Sequence, residues 1–487
     1  MSNPIRKLLG QTAVYGLSSI IGRLLNYLLV PLYTSVFIDP SDYGVVSELY
    51  AWVAFLVVLL TFGMETAFFR FLQQKEDKEA VFRNGFLTVI GINILFYFAL
   101  LYFNQDIADL MLYSDHNEYI ILLGTIVCID AVTALPLAKL RSEEKAARFA
   151  TIQFASIILN VLLNLFFMLV IFNPELPEEG VLFILFSNLF ASLLKPVLLY
   201  KDFSELRFSF DKELAKEMIF YSFPLVIAGF AGIINETLDR ILLKQILFVT
   251  EGSSAEALHI AESEVGIYSA CYKLAMLVTI LLQAYRYAAE PFFFAQMKSE
   301  DRNKVYARVM NLFIGVVCLV FLVVSLNLDI FKHFIQNEAY WVGLKVVPIL
   351  LMANVCLGIY YNQSIWYKLS GRTSFGAYIA IGGALLTVLI NILFIPEYGY
   401  MASAWATLIV YAAQMIASYM LGQRFYPIKY NQRKFVLYIG GALLVYLLCV
   451  GVDLQSITSR FIVHNGLIFL YVAMVFQMER KSLRKVA

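Results

Sequence analysis

Fourteen stretches of this chain are long and apolar enough to be helices crossing about 30 Å of hydrocarbon, and the gaps between them alternate between basic and almost base-free. The stretches lie near residues 10–37, 45–69, 84–104, 117–138, 147–173, 180–200, 217–248, 265–296, 306–327, 342–367, 374–395, 400–422, 434–451 and 459–478. Of the 37 Lys and Arg, 29 fall in the two termini and the even-numbered gaps, from Arg6 and Lys7 through Arg70, Lys139, Lys195, Lys298, Lys368 and Arg424 to Arg480, Lys481, Arg484 and Lys485. The odd-numbered gaps hold Lys332 and Arg460 alone. Because basic loops stay cytoplasmic, both termini are expected inside, with an even number of spans between them.

The expected fold is therefore an all-α polytopic membrane protein of 14 transmembrane helices. Composition agrees, with 60% hydrophobic residues against 15% charged. A net charge of +1 argues against a nucleic-acid partner, since the basic residues are membrane-flanking anchors rather than a patch. The first 22 residues imitate a signal peptide, yet no small-residue cleavage site follows and Arg23 interrupts the apolar run, so they read as the first helix. The five cysteines are scattered through apolar stretches as packing thiols, and the four histidines stand singly, without metal-site spacing. There is no phosphate-cradling Gly-rich loop and no dinucleotide fingerprint, so no nucleotide is consumed and no cofactor is expected. No gap is long enough for a soluble catalytic domain. A transporter, not an enzyme, is the expectation.

The chain also repeats itself. "YGVVSELYAW" (43–52) aligns with "VGIYSACYKL" (265–274), pairing Gly44 with Gly266, Ser47 with Ser269 and Tyr50 with Tyr272. "LNVLLNLFF" (159–167) aligns with "LTVLINILF" (386–394), pairing Asn164 with Asn391. The unit holds six spans, an even number, so the halves share one orientation and are related by a pseudo-two-fold along the membrane normal. The expected domains are an N-lobe over 1–205, a C-lobe over 206–425, and two further spans with a basic tail over 426–487.

Four stretches carry a more specific resemblance: "GRLLNYLLVPLYTSVFIDPSDYGVVS" (22–47), "FPLVIAGFAGIINETLDRILL" (223–243), "VGIYSACYKLA" (265–275) and "AYWVGLKVVPIL" (339–350). Through them the chain resembles the polysaccharide-unit flippases of the multidrug, oligosaccharidyl-lipid and polysaccharide exporter superfamily. The resemblance implies a protein of the bacterial cytoplasmic membrane that moves undecaprenyl-diphosphate-linked sugar units from the inner to the outer leaflet by alternating access. It implies a lipid-linked sugar as substrate, a monomer, and a neighbourhood of glycan polymerase and glycosyltransferase machinery. Coupling to Na+ or H+ is part of the expectation.

Charges inside the apolar stretches are the candidate site residues, because an ionised side chain at mid-bilayer costs roughly 2.5 to 3.5 kcal/mol unless it meets a partner or a wet cavity. Arg23 shares a helix face with Thr12, Gly16, Ser19 and Asn26. It either packs against a carboxylate such as Glu65 or Asp130 or grips a diphosphate bidentately in the central cavity, with Asn26 as a polar neighbour. In the eighth stretch Thr279, Gln283, Arg286 and Glu290 share a face. Arg286 either neutralises Glu290 or joins Lys273 as a cavity cation beside Gln283.

The seventh stretch packs Glu236, Asp239, Arg240 and Lys244 into nine residues. They form either a structural ion-pair network or a site in which Glu236 or Asp239 binds the coupling cation while Arg240 or Lys244 contacts the anion. The family resemblance adds Asn391 as a carbonyl ligand for that cation. Asp130, without a cation on its own helix, is either paired across helices or a proton relay; Glu65 lies one turn from Arg70 and is expected to pair with it. The substrate-diphosphate set is thus Arg23, Arg240, Lys273 and Arg286, expected to line one cleft. Rival functions are an ion-coupled multidrug exporter of the same fold, which would favour an acidic cavity, a flippase for the peptidoglycan lipid precursor, and a membrane-embedded polymerase or ligase, which would need a large outer loop.

Overall fold

A computed structural model of the chain describes residues 21–22, 24–204, 209–297, 299–452 and 456–483, and among them every regular element is helical. The helices are α1 (Leu24–Val36), α2 (Pro40–Phe71), α3 (Lys78–Tyr102), α4 (Asn117–Ser142), α5 (Ala146–Ile171), α6 (Pro177–Leu198) and α7 (Lys212–Thr250). They continue with α8 (Ala255–Gln296), α9 (Arg302–Leu326), α10 (Glu338–Leu369), α11 (Ser374–Tyr398), α12 (Tyr400–Phe425), α13 (Gln432–Gly451) and α14 (Thr458–Arg480). Thirteen of these are long and apolar enough to cross a membrane; the described part of α1 is shorter, because the first stretch begins among residues outside those described. The protein is an all-α, multi-pass membrane protein.

Polar residues punctuate the apolar text and set where helices begin. Asp39 accepts from the Ser41 amide ahead of Pro40, and Asp77 accepts from the Ala80 amide. Asp211 accepts from the Glu213 and Leu214 amides, and Asn431 from that of Lys434. Each supplies an acceptor to a first-turn N–H that has no intrahelical partner. α2 is broken after Thr61, where Phe62 and Gly63 both take left-handed backbone, at φ 49° and 63°, before the helix resumes at Met64. Glycine makes the second of those conformations nearly free of strain.

The gap between the seventh and eighth apolar stretches, residues 249–264, is largely helix. α8 starts at Ala255 and runs for 42 residues, with the Ser254 hydroxyl accepting from the Ala257 amide at its start. Hydropathy alone drew the boundary at the polar run "AEALHIAESE", yet Ala and Glu are strong helix formers and an outer extension of a spanning helix needs no apolar surface. Glu256, Glu262 and Glu264, which lie between the seventh and eighth apolar stretches, thereby become part of a helix.

The chain forms two compact units, Met1–Gly266 and Ile267–Ala487. The first contains α1 to α7 and the opening turns of α8; α7 packs on α2 and α3 within it. Met64, Phe68, Phe71, Phe82 and Phe86 pack with Leu135, Leu214 and Met218 in one of its apolar clusters. The second contains the rest of α8 and α9 to α14, with α10, α11 and α12 packed around Ala353, Tyr360, Ile379 and Val410. Units of contact and units of repeat are different divisions: the first contact unit ends inside α8, beyond the 205/206 boundary drawn from the repeat.

The aligned residues of the repeat occupy comparable settings. Asn164 donates to the Asn160 carbonyl (2.8 Å) and accepts from the Tyr33 hydroxyl (2.8 Å); Asn391 donates to the Thr387 carbonyl (2.8 Å) and accepts from the Ser403 hydroxyl (2.8 Å). Gly44 and Gly266 meet each other. A Cβ on Gly44 would stand 1.9 Å from the Glu262 carbonyl oxygen, and a Cβ on Gly266 would stand 1.9 Å from that of Pro40. Each clash lies four residues before the opposite glycine, so α2 and the start of α8 cross with local two-fold symmetry at a distance only glycine allows.

Candidate functional site

The charged residues of α7 make different partnerships, although Glu236, Arg240 and Lys244 follow one another at one-turn spacing on one helix face. Asp239 and Arg240 are buried together, with the guanidinium Nη1 3.2 Å from Asp239 Oδ1 and 3.1 Å from the Glu236 carbonyl oxygen. The Glu236 side chain itself is exposed. Lys244, one turn beyond Arg240, is wholly buried, and its ammonium uses every donor it has. Its Nζ lies 2.9 Å from Glu48 Oε2, 3.1 Å from Glu262 Oε1 and 3.1 Å from the Met111 carbonyl oxygen. The same ammonium stands 3.4 Å above the Tyr113 ring.

Glu48 is equally enclosed, at 0% exposed, and has three donors of its own. Besides Lys244, the Tyr113 hydroxyl donates to Oε2 at 2.5 Å and the Trp52 indole N–H to Oε1 at 3.1 Å. Burial, reinforced by the two carboxylates, pushes the Tyr113 hydroxyl well above its ordinary value, so it stays protonated and remains a donor. Three donors, one of them charged, satisfy this enclosed carboxylate. Glu262 accepts from Lys244 and is 13% exposed, the least enclosed member of the group.

Lys244 therefore holds two carboxylates together instead of standing free for an anion. Glu48 lies in plain view within "YGVVSELYAW", eight residues into an apolar span, and an ionisable residue at such a position was itself the signal that it needed a partner. Glu262 was hidden by the loop assignment. Trp52 and Tyr113 carried no signal, since aromatic residues are abundant throughout the chain.

Arg23 lies outside the described residues, and Asn26 on α1 is exposed. Asp130 is paired across helices, its Oδ1 2.8 Å from Lys195 Nζ. Lys195, counted with the basic loops, lies inside α6 and is drawn inward by that carboxylate. Glu65 pairs with Arg141 at 2.5 Å and not with Arg70, whose guanidinium instead stands 4.1 Å over the Tyr221 ring. The break at Phe62 and Gly63 re-aims the last two turns of α2, which sends Glu65 toward α4.

In the second unit Lys273 and Gln283 are half-buried on α8. Arg286, also half-buried, lies 4.3 Å over the Tyr361 ring of α10, a cation held by a π face. Its proposed partner Glu290 has a side chain outside the described residues. Asn391 is fully buried and its carbonyl oxygen is engaged by Ser403. A largely apolar cavity of about 390 Å³ lies between α9, α10, α12 and α13, with the buried Gln363 Oε1 unpartnered on its wall. Arg240 thus belongs to the first unit, and Lys273, Gln283 and Arg286 to the second. Among the described residues no group of three or more His, Cys, Asp or Glu is placed to hold a metal ion.

Known proteins share both the sequence pattern and the architecture. The model of a family described as polysaccharide biosynthesis protein matches residues 8–297, more than half of the chain. An uncharacterised membrane protein of Haemophilus influenzae is 21% identical over 409 residues, covering 80% of this chain and 92% of that one. Among solved structures, the lipid II flippase MurJ in an inward closed conformation superposes with a TM-score of 0.70 at 13% identity, covering 95% of this chain and 98% of that one. An inward-facing multidrug resistance transporter of the MATE family and MOP superfamily superposes with a TM-score of 0.66 at 14% identity, over 85% of this chain and 95% of that one. The chain belongs to the polysaccharide biosynthesis protein family, and it is built on the two-lobed helical fold shared by the flippases and exporters of the MOP superfamily.

Proposed function

We propose that the protein is a flippase for lipid-linked oligosaccharides, moving undecaprenyl-diphosphate sugar units from the inner to the outer leaflet of a bacterial cytoplasmic membrane, with both termini cytoplasmic. The match of residues 8–297 to the polysaccharide biosynthesis family carries this reading. The physical problem such a protein solves is the diphosphate, whose hydration must be replaced as it crosses the apolar mid-plane. Arg286 is suited to replacing it, because its guanidinium rests on an aromatic face, a contact that leaves its N–H edges available for bidentate bonding to phosphate oxygens. Lys273, between three and four turns earlier on α8, adds a second cation on the same helix. The prenyl tail stays in lipid throughout, and the energy comes from a cation gradient.

The test is deletion of the gene in its own bacterium, followed by complementation. Loss of surface glycan with accumulation of the lipid-linked unit on the inner leaflet is the expected result. Arg286→Ala should fail to restore display although the protein reaches the membrane, and Arg286→Lys should restore part of it because the planar fork is gone. The fold is equally that of multidrug transporters. Intact glycan display in the deletion strain, together with heightened sensitivity to lipophilic cations, would replace this reading with the exporter.

A further inference from the structure

The buried group on α2, α7 and α8 holds two carboxylates and one ammonium, an uneven number of charges in a place where charge is expensive. Glu48 and Lys244 neutralise each other at 2.9 Å and are both enclosed. Glu262 is the surplus. It sits at 3.1 Å from an ammonium whose other two donors are already taken, and it has access to solvent that Glu48 lacks. With both acids ionised the group carries one net negative charge; one added proton makes it neutral.

We infer that Glu262 is the site at which this protein binds its coupling proton, and that protonation releases the opening turns of α8 from α7. A proton from the outer solution adds to the Glu262 carboxylate and gives the neutral acid, while Lys244 remains an ammonium paired with Glu48. The charge-assisted bond from Lys244 to Glu262 then becomes a weaker neutral one. A metal cation is the poorer occupant, because it would have to approach the carboxylate against the Lys244 ammonium.

The groups facing Glu262 bear on when it titrates. The charged and titratable groups facing it are Lys244 on α7, Glu48 on α2 and His259 on its own helix. Asp42 at the start of α2 and the hydroxyls of Tyr113 and Tyr119 also sense it. Asp39 is bound by His259 at 2.8 Å, which ties a second carboxylate of α2 to the same stretch of α8.

Two features turn proton binding into motion. At the crossing with α2, the Glu262 carbonyl oxygen fills the space where a side chain on Gly44 would be, so a shift of Glu262 is transmitted directly to the α2 backbone. α8 is also the helix in which the chain passes from the first compact unit into the second. A change in its first turns is inherited by the helix that carries Lys273 and Arg286. The coupling role rests on the flippase reading, whereas the proton site does not.

The experiment uses the full-length protein in phosphatidylcholine vesicles, without substrate, and records the infrared carboxylic-acid C=O stretch that appears on going from alkaline to mildly acidic buffer. One component of that band should be lost in Glu262→Gln and persist in Asp42→Asn, which removes the neighbouring acid. Glu262 is the position to change because Lys244→Ala would strand a fully buried carboxylate and fail to fold. A band unaltered by Glu262→Gln overturns the site. In cells, Glu262→Gln should lose surface glycan export, with Glu262→Asp retaining part of it and part of its sensitivity to a protonophore. A band assigned to Glu262 with export unchanged in Glu262→Gln overturns the coupling role and leaves the flippase reading standing. Glycan display unaffected by gene deletion overturns the flippase reading while the infrared assignment stands.

Discussion

Both units bury amides and hydroxyls, as Asn164 and Asn391 show, but they differ in buried charge. In the first, the interior polar groups include Glu48, Asp239, Arg240 and Lys244, ions compensated by other ions. In the second, the buried polar residues described from α8 to α12 are all uncharged, among them Asn354, Asn362, Gln363, Thr387, Asn391 and Gln414; the one buried acid described in that unit, Glu479, lies on α14 with Lys434 at 2.6 Å. An amide satisfies itself locally, as Asn391 does with a carbonyl on its own helix and a hydroxyl on the next. A buried ion demands a specific partner from another helix. The ionic interior is therefore all-or-none and can be switched by one proton, while the amide interior tolerates change.

The comparison breaks most decisively at Lys244. Lys244→Ala leaves Glu48 and Glu262 buried without their cation and should cost about 3 to 5 kcal/mol, read as loss of folded protein from the membrane in a thermal-stability assay. Gly44→Ala comes next. Its Cβ would overlap the α8 backbone and not a movable side chain, so a destabilisation of about 1 to 3 kcal/mol is expected. Because the displaced group is Glu262, the effect should be non-additive with Glu262→Gln in a double-mutant cycle. Additivity would mean that the glycine crossing and the ion group are independent.

In the amide interior the same kind of change should do less. Asn391→Ala removes two hydrogen bonds and should cost about 1 to 2 kcal/mol, measured by the same thermal assay. A loss as large as that of Lys244→Ala would erase the distinction between the units. The smallest effect belongs to Asp39. Partial burial raises its carboxyl pKa, but the Ser41 amide and His259 more than compensate, holding it below the ordinary carboxylate range. A depressed folded value means the contribution is present above the unfolded pKa and is lost as pH falls through the folded one. Asp39→Asn should therefore cost a little stability at neutral pH and nothing at a pH below the folded value; a loss that persists in acid would show that the His259 contact matters apart from the charge of Asp39.

What the sequence determined by itself was the all-helical, many-pass fold, because hydropathy acts locally and each stretch declares its own fate in lipid. The sequence also showed the excess charge of α7. It also marked Asp130 as needing a partner on another helix, and that partner is Lys195. What only the tertiary structure decided was which charges meet. Glu65 reached Arg141 instead of the nearer Arg70, since a backbone break turned its helix. Lys244 met Glu48 across 196 residues of sequence and Glu262 on a helix whose polar start read as loop. Pairing energies depend on distance and burial in three dimensions, and neither quantity is carried by the order of residues along a single apolar span.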